Sequence, residues 1–304
     1  TRVRLHVSVT VKNGRVHLDF SDCDPQTPGP VNLRLATVES CVFFCLLGMI
    51  NPNLRYSDGM RDLVDFTFAE SSVLSAHPPR PCSSYIKCCH KVMDITLQAL
   101  DQIMPGRAIA NSGGSGGSII VAWKGDTRRK HGNQYEIFGS AYGAGDGIDG
   151  ASGITVNLNN LYVAPVEIIE TEFPCRISRF EMSTDSGGPG EFRGGLSFRR
   201  TYELLEPAEV VYRSDRALVP SQGLRGGSPG GHSRFILNPG TPDEQEMPST
   251  TRLHLETGNS FSIQPPGGGG YGDPSNRDPS SLARDLEEGF VTKDSATRDY
   301  GVAL

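Results

Sequence analysis

Long apolar runs are scarce in this chain of 304 residues. Hydrophobic residues make up 37 % of it, tryptophan occurs once, and the longest apolar stretch, residues 41–50, is too short to cross a bilayer. No secretory signal pattern opens the sequence, so the expected compartment is the cytoplasm, with no membrane partner. Basic runs are equally scarce. Arg128-Arg129-Lys130-His131 is the one cluster in a chain of net charge −6, which excludes the electrostatic footprint of a nucleic-acid binder and reads as a solvated loop tip. The seven cysteines are odd in number and irregularly spaced, against a secreted disulfide framework. No Gly-Lys-Ser/Thr phosphate loop and no repeat of fixed period occur.

What the chain has instead is glycine, 36 residues, and proline, 21, a composition of tight turns and β structure. The expected fold is α+β and β-dominated: an N-terminal hairpin and two helices, then a strand- and turn-rich half. Its expected regions are 1–160, 161–278 and a C-terminal helix and tail over 279–304. Val3, Leu5, Val7, Val9 and Val11 alternate with polar residues, Asn13-Gly14 supplies a type I′ turn, and Val16, Leu18 and Phe20 alternate again. Pairing Lys12 with Arg15 sets Val11 against Val16 and Val9 against Leu18, and leaves His17 on the wet face. A helical period over 33–50, with Asn32 as a cap, makes Cys41 and Cys45 buried small hydrophobes. A second helix over 83–104 carries Ile86, Met93, Leu97, Leu100 and Met104 on one face and Lys87, Lys91, Asp94, Gln98 and Asp101 on the other. Short strands are expected at 210–214, 223–231, 234–237, 252–256 and 261–264, and a helix at 280–288 capped by Ser280 or Ser281.

Function turns on residues 165–202. Two runs with apolar residues at every second position, 178–182 and 196–202, flank a loop at 185–195 with five glycines and one proline. Asp185-Ser186-Gly187-Gly188-Pro189 is the pentapeptide around the nucleophile of trypsin-like proteases, and His77 and Asp94 precede it in the matching order. That reading fails on the polar helical face assigned to Asp94, the Pro78-Pro79 that follows His77, and two helices foreign to a double barrel. Thr1 could be a nucleophile through its own amine, but nothing near it resembles a site. Gly113-x-Ser115-x-Gly117 precedes a strand and not the helix of a nucleophile elbow. Gly145-x-Gly147-x-x-Gly150 carries Asp146 and Asp149, which would repel a pyrophosphate. Cys82, Cys88, Cys89 and His90 lack the spacing of a zinc site.

Taken together, ordered blocks along the chain carry more than any one motif. They are Asp19-Phe20; Asp24-Pro25-Gln26 with Gly29-Pro30-Val31-Asn32; Pro165-Val166-Glu167 through Phe173-Pro174, Arg176, Arg179 and Glu181 to the Asp185 loop and Phe192-Arg193-Gly194-Gly195; Arg213-Ser214-Asp215-Arg216; Gly223-Leu224-x-Gly226-Gly227-x-Pro229-Gly230; the glycine loop 265–273; and Arg298-Asp299-Tyr300-Gly301-Val302. In these the chain resembles the later part of the hydantoinase B / oxoprolinase family. The resemblance implies a B-type subunit, or a piece of one, of an ATP-dependent enzyme opening a cyclic amide such as a hydantoin, N-methylhydantoin or 5-oxoproline. ATP and Mg would be held by a hydantoinase A-type partner, and divalent-metal ligands would lie in an N-terminal part of the B subunit that has no counterpart here. The ketone-carboxylase branch of the family and a non-catalytic scaffold are the alternatives. No catalytic or metal-ligating residue is assigned within the chain. Candidate substrate- or partner-facing residues are Asp185, Ser186, Gly187, Gly188, Arg193, Gly268, Gly269 and Asp273, with Asp185 and Arg193 expected to face each other across the loop and Ser186 to bond nearby backbone.

Overall fold

The structure is a computed structural model that describes residues 2–123 and 132–302. The basic run at 128–131 and Thr1 lie outside the described residues. The chain divides into two compact units, 1–109 and 110–304.

The first unit opens with the hairpin. Strands β1 (Ser8–Lys12) and β2 (Arg15–Phe20) pair antiparallel in the register Lys12–Arg15, Val11–Val16 and Val9–Leu18. Asn13 and Gly14 both take positive φ, 52° and 74°, as the type I′ turn requires. Helix α1 (Leu35–Ile50) buries Cys41 and Cys45, and α2 (Asp58–Arg61) is a single turn. Strand β3 (Val64–Phe68) pairs parallel with β2, and α3 (Tyr85–Asp101) packs on α1.

One expectation fails in this unit. Asn32 does not cap α1, whose N-cap is Arg34. It is fully buried, with its amide donating to the carbonyls of Thr27, Gly29 and Pro81 and its oxygen accepting from the Thr27 N–H, and so it knots the proline-rich loop. On the polar face of α3, Asp94 and Asp101 are 6 % and 4 % exposed. The helix buries most of its circumference, and Asp101 accepts from the Gly106 N–H beyond its end.

The second unit is a two-sheet sandwich. Its strands are β4 (Gly117–Trp123), β5 (Asn133–Phe138), β6 (Cys175–Met182), β7 (Phe198–Leu204), β8 (Ala208–Ser214), β9 (Arg234–Leu237), β10 (Gln245–Met247), β11 (Thr250–Leu255) and β12 (Ser260–Gln264). Short helix α4 (Val166–Glu172) precedes β6, and α5 (Pro279–Glu287) and α6 (Lys293–Tyr300) close the chain. One sheet runs β10-β9-β12-β7-β6 and the other β11-β8-β4-β5. Their inner faces share one core, where Tyr202 stacks on Phe261 at 4.9 Å and Tyr212 on Phe235 at 4.4 Å. Residues 223–231, expected as a strand, form no ladder beyond one bridge of Leu224 to Tyr271. Helix α5 is capped by Asp278, whose carboxylate accepts from the Ser281 N–H, with Pro279 as the first helical residue; neither Ser280 nor Ser281 is the cap. No helix among the described residues is long and apolar enough to cross a membrane.

Candidate functional site

At one end of the sandwich the glycine-rich segments meet. Residues 267–271 run through the middle and hand their backbone hydrogen bonds out in rotation. Gly267 and Gly270 donate to the carbonyls of Gly231 and Ser228, Gly268 and Tyr271 to those of Gly195 and Phe192, and Gly269 to that of Asn111. Positions three apart thus serve the same neighbour, which is the threefold period of a polyproline-II backbone. Carbonyls of the same segment accept from Gly188, Ala144 and Leu224 N–H. Six segments therefore surround it: 110–111, 142–144, 186–189, 192–195, 221–224 and 227–231.

This packing explains the glycine. Segments bonded on all sides lie too close for side chains, and a Cβ on Gly267, Gly268, Gly269 or Gly270 would overlap the carbonyl of Ser186, Tyr142, Gln222 or Pro189. Gly188 is held the same way, since its Cβ would stand 2.6 Å from the Gly270 nitrogen. The structure thus brings Gly187, Gly188, Gly268 and Gly269 together, as backbone-packing positions.

Ser186 is 3 % exposed, and its hydroxyl donates to the Ser183 carbonyl at 2.6 Å and accepts from the Ser197 N–H at 2.9 Å. Both partners are backbone, as expected of a turn residue. Asp185 and Arg193 do not face each other. Asp185, at φ 59°, accepts from the N–H and hydroxyl of Thr292, the N-cap of α6. Arg193 is 5 % exposed; it meets Asp285 of α5 at 3.2 Å and the Phe290 ring at 5.4 Å. Asp273 is apart from the bundle, accepting from the Ser275 N–H and hydroxyl at a 3-10 turn; those bonds hold its carboxyl below the usual range.

Sequence reasoning missed the charges that fasten this end of the molecule. Arg277, with its side chain 2 % exposed, donates to both oxygens of Asp149 at 2.9 and 2.8 Å and to Asp285 at 2.6 Å. Arg193 and Arg277 thus share Asp285, and Asp149 also accepts from the Arg193 N–H at 2.6 Å. Burial alone would raise the Asp149 carboxyl, but the Arg277 hydrogen bond and charge outweigh it and hold it below the usual range. Burial lowers the Arg277 guanidinium, and Asp149 and Asp285 more than reverse that. Burial also pushes the nearby Tyr300 phenol up to about 12. One signal was readable: Asp285 falls three residues after Leu282, on the buried stripe of α5.

Among the described residues no group of three or more His, Cys, Asp or Glu side chains converges to hold a metal, so they do not fit a divalent-metal site. The bundle offers buried backbone and locked side chains, which suit a rigid platform.

The comparisons agree with one another. A protein of Methanocaldococcus jannaschii of undefined role is 28 % identical over 99 % of this chain and 53 % of its own length. Caprolactamase subunit beta of Pseudomonas jessenii is 28 % identical over 97 % of this chain and 53 % of itself. The crystal structure of the ATP-dependent caprolactamase from that organism matches 99 % of this chain and 54 % of the other, at 24 % identity and a TM-score of 0.85. The nucleotide-free structure of an acetone carboxylase gives a TM-score of 0.86 at 18 % identity, over 99 % of this chain and 45 % of that one. The chain spans about half the length of these relatives. The hydantoinase B/oxoprolinase profile matches residues 1–274, with the glycine bundle inside that span, and the chain belongs to the hydantoinase B/oxoprolinase family.

Proposed function

We propose that this chain is the later part of a B-type subunit of an ATP-dependent amidohydrolase that opens a small cyclic amide. Its glycine bundle and C-terminal clamp form a rigid platform that faces substrate or a partner polypeptide. The observation that carries this reading is the family match over residues 1–274 together with the likeness to caprolactamase subunit beta. ATP and Mg are assigned to an A-type partner, and the divalent-metal ligands to the remainder of the B-type polypeptide, because this chain has neither a phosphate loop nor, among its described residues, a converging donor set. The chain's own contribution is then to orient and enclose, which in a water-excluding site is a large part of catalysis.

The fold shared with acetone carboxylase supports a second reading, attack on a ketone by a carboxyl species. Both are tested on the assembly that contains this chain. ATP, Mg, a lactam or hydantoin, and in parallel a ketone with labelled bicarbonate are supplied, and products are read by mass spectrometry. Ring-opened amino acid formed with ADP is the expected result. Label retained in a new carboxylate, with no ring opening, would establish the carboxylase reading instead.

A further inference from the structure

Each sheet of the sandwich ends in two edge strands, and the four edges are not alike. β10 is three residues long, β6 exposes Arg176, Arg179 and Glu181, and β11 exposes Arg252 and His254. Shortness and charge are the usual means by which a sheet edge is kept from pairing with another chain. β5 has neither. It runs for six residues, and its exposed face carries Asn133, Tyr135 and Ile137, the last two 60 % and 45 % exposed. Its single charge, Glu136, is turned inward and taken up by Arg200, Tyr202 and Gln134.

The backbone of β5 is open on the side away from β4. The Trp123 N–H donates to the Gly132 carbonyl, and Val121 lies opposite Gln134 and Ile119 opposite Glu136. Antiparallel alternation then directs the peptide groups of Gln134 and Glu136 to β4 and those of Tyr135 and Ile137 outward. Among the described residues, neither of these two has a backbone partner on the outer side. Across a cleft from this edge stand Leu161, Tyr162 and Val163, with Tyr162 94 % exposed. With Tyr135 and Ile137 they expose about 500 Å² of side chain, taking about 150–250 Å² for a whole aromatic. That is a large apolar patch for a monomer, and the strand backbone brings it towards the roughly 800 Å² per partner of a stable interface.

What satisfies an open edge is a strand, and the β5 sequence is complementary to itself. Two copies run antiparallel across a twofold axis at Tyr135 set the two Tyr135 rings together and Asn133 of each against Ile137 of the other. On the inward side the same register sets Gln134 against Glu136, amide against carboxylate. With the axis moved to Glu136, two carboxylates would oppose each other instead. We propose that two copies of this chain pair β5 to β5 in the register centred on Tyr135, so that their β11-β8-β4-β5 sheets run on as one. Leu161, Tyr162 and Val163 then flank the joint. None of these residues belongs to the glycine bundle, and the inference does not rest on the proposed function.

The test is sedimentation equilibrium of the 304-residue chain, with amide hydrogen exchange followed on the same sample. A species of twice 32.8 kDa is expected, with a dissociation constant of about 10 μM or tighter and slow exchange at the Tyr135 and Ile137 amides. Tyr135→Lys sets two ammonium groups face to face at the axis, and Ile137→Pro removes an outward N–H that β4 does not use. Each should weaken the dimer at least about tenfold while the thermal transition of the chain is kept. A chain still monomeric at about 100 μM would overturn the proposal, as would a dimer that either variant leaves unweakened, which would place the interface elsewhere. A dimer in which both amides exchange freely would rule out strand pairing. Slowing of those amides in a monomeric chain only when an extended apolar peptide is added would also overturn it, in favour of a different polypeptide on the same edge.

Discussion

Ser186 stands in a pentapeptide that elsewhere surrounds a nucleophile, yet its oxygen is fully committed to the Ser183 carbonyl and the Ser197 N–H. A hydroxyl so placed sets the shape of a turn. Ser186→Ala is therefore expected to leave most activity of the assembled enzyme while lowering stability by about 1–3 kcal/mol, the cost of stranding a buried N–H. Parallel assays of turnover and chemical denaturation check this; abolished turnover with assembly unharmed would restore the nucleophile. Asp149 gives a second prediction at this scale. Its carboxyl is held below the unfolded value by Arg277, so its contribution is present above the unfolded pKa of about 4 and is lost as pH falls through the lower folded value. Denaturant midpoints should drop from about pH 5 to about pH 3, and Asp149→Asn should flatten that slope. An unchanged slope in the variant would show that Arg277 does not act through this carboxylate.

Among the elements, helices α5 and α6 are fastened to the glycine loops by side chains that cross long sequence separations. Asp185 fixes the N-cap of α6, while Arg193 and Arg277 hold Asp285 of α5. Asp285→Asn leaves two buried guanidiniums short of a counter-charge and should cost about 3–5 kcal/mol. Hydrogen exchange would locate the loss in α5, α6 and residues 185–195. The bundle itself tolerates less. Gly188→Val places a branched side chain against the Ser228 and Gly270 backbones and is expected to abolish folded protein, read as loss of soluble chain and of a cooperative thermal transition. These elements were legible to different degrees, for a physical reason. The β1–β2 register, α1 and α3 came from local period and an Asn-Gly turn, because short-range sterics decide them. The glycine clusters showed that side chains were excluded but not what approached, since the partners of Gly267 and Gly269 lie as far off as Ser186 and Asn111. The partners of Asp185 and Arg193 went wrong for the same reason: opposite charges eight residues apart suggest each other, while the true partners, Thr292 and Asp285, are about a hundred residues away. Helix α6 has a weak apolar stripe and offers the eye little but its Thr292 cap and Gly301 at φ 72°.

On the scale of the whole molecule, the glycine platform is built from packed backbone and from side chains already engaged in holding it. The chain contains no phosphate loop, the described residues bring no metal-binding set together, and Ser186 and Arg193 are spent on structure. The relatives extend to about twice its length. Purified by itself, the 304-residue chain is therefore expected to fold, through two cores of its own, yet neither to hydrolyse ATP nor to open a lactam. Folding and turnover separate in one experiment. A cooperative melt reports the platform, a coupled ADP assay and ring-opened product report chemistry, and under the proposed function supplying an A-type subunit with the other part of a B-type polypeptide should bring both activities together. Robust turnover by the chain alone would place a catalytic group inside residues 1–304 and displace the platform reading. Restored turnover that does not change when this chain is omitted would make it a scaffold with no part in the reaction. Activity that needs this chain, and that Gly188→Val removes by unfolding it, is the outcome expected of a platform on which the reacting groups are held in place.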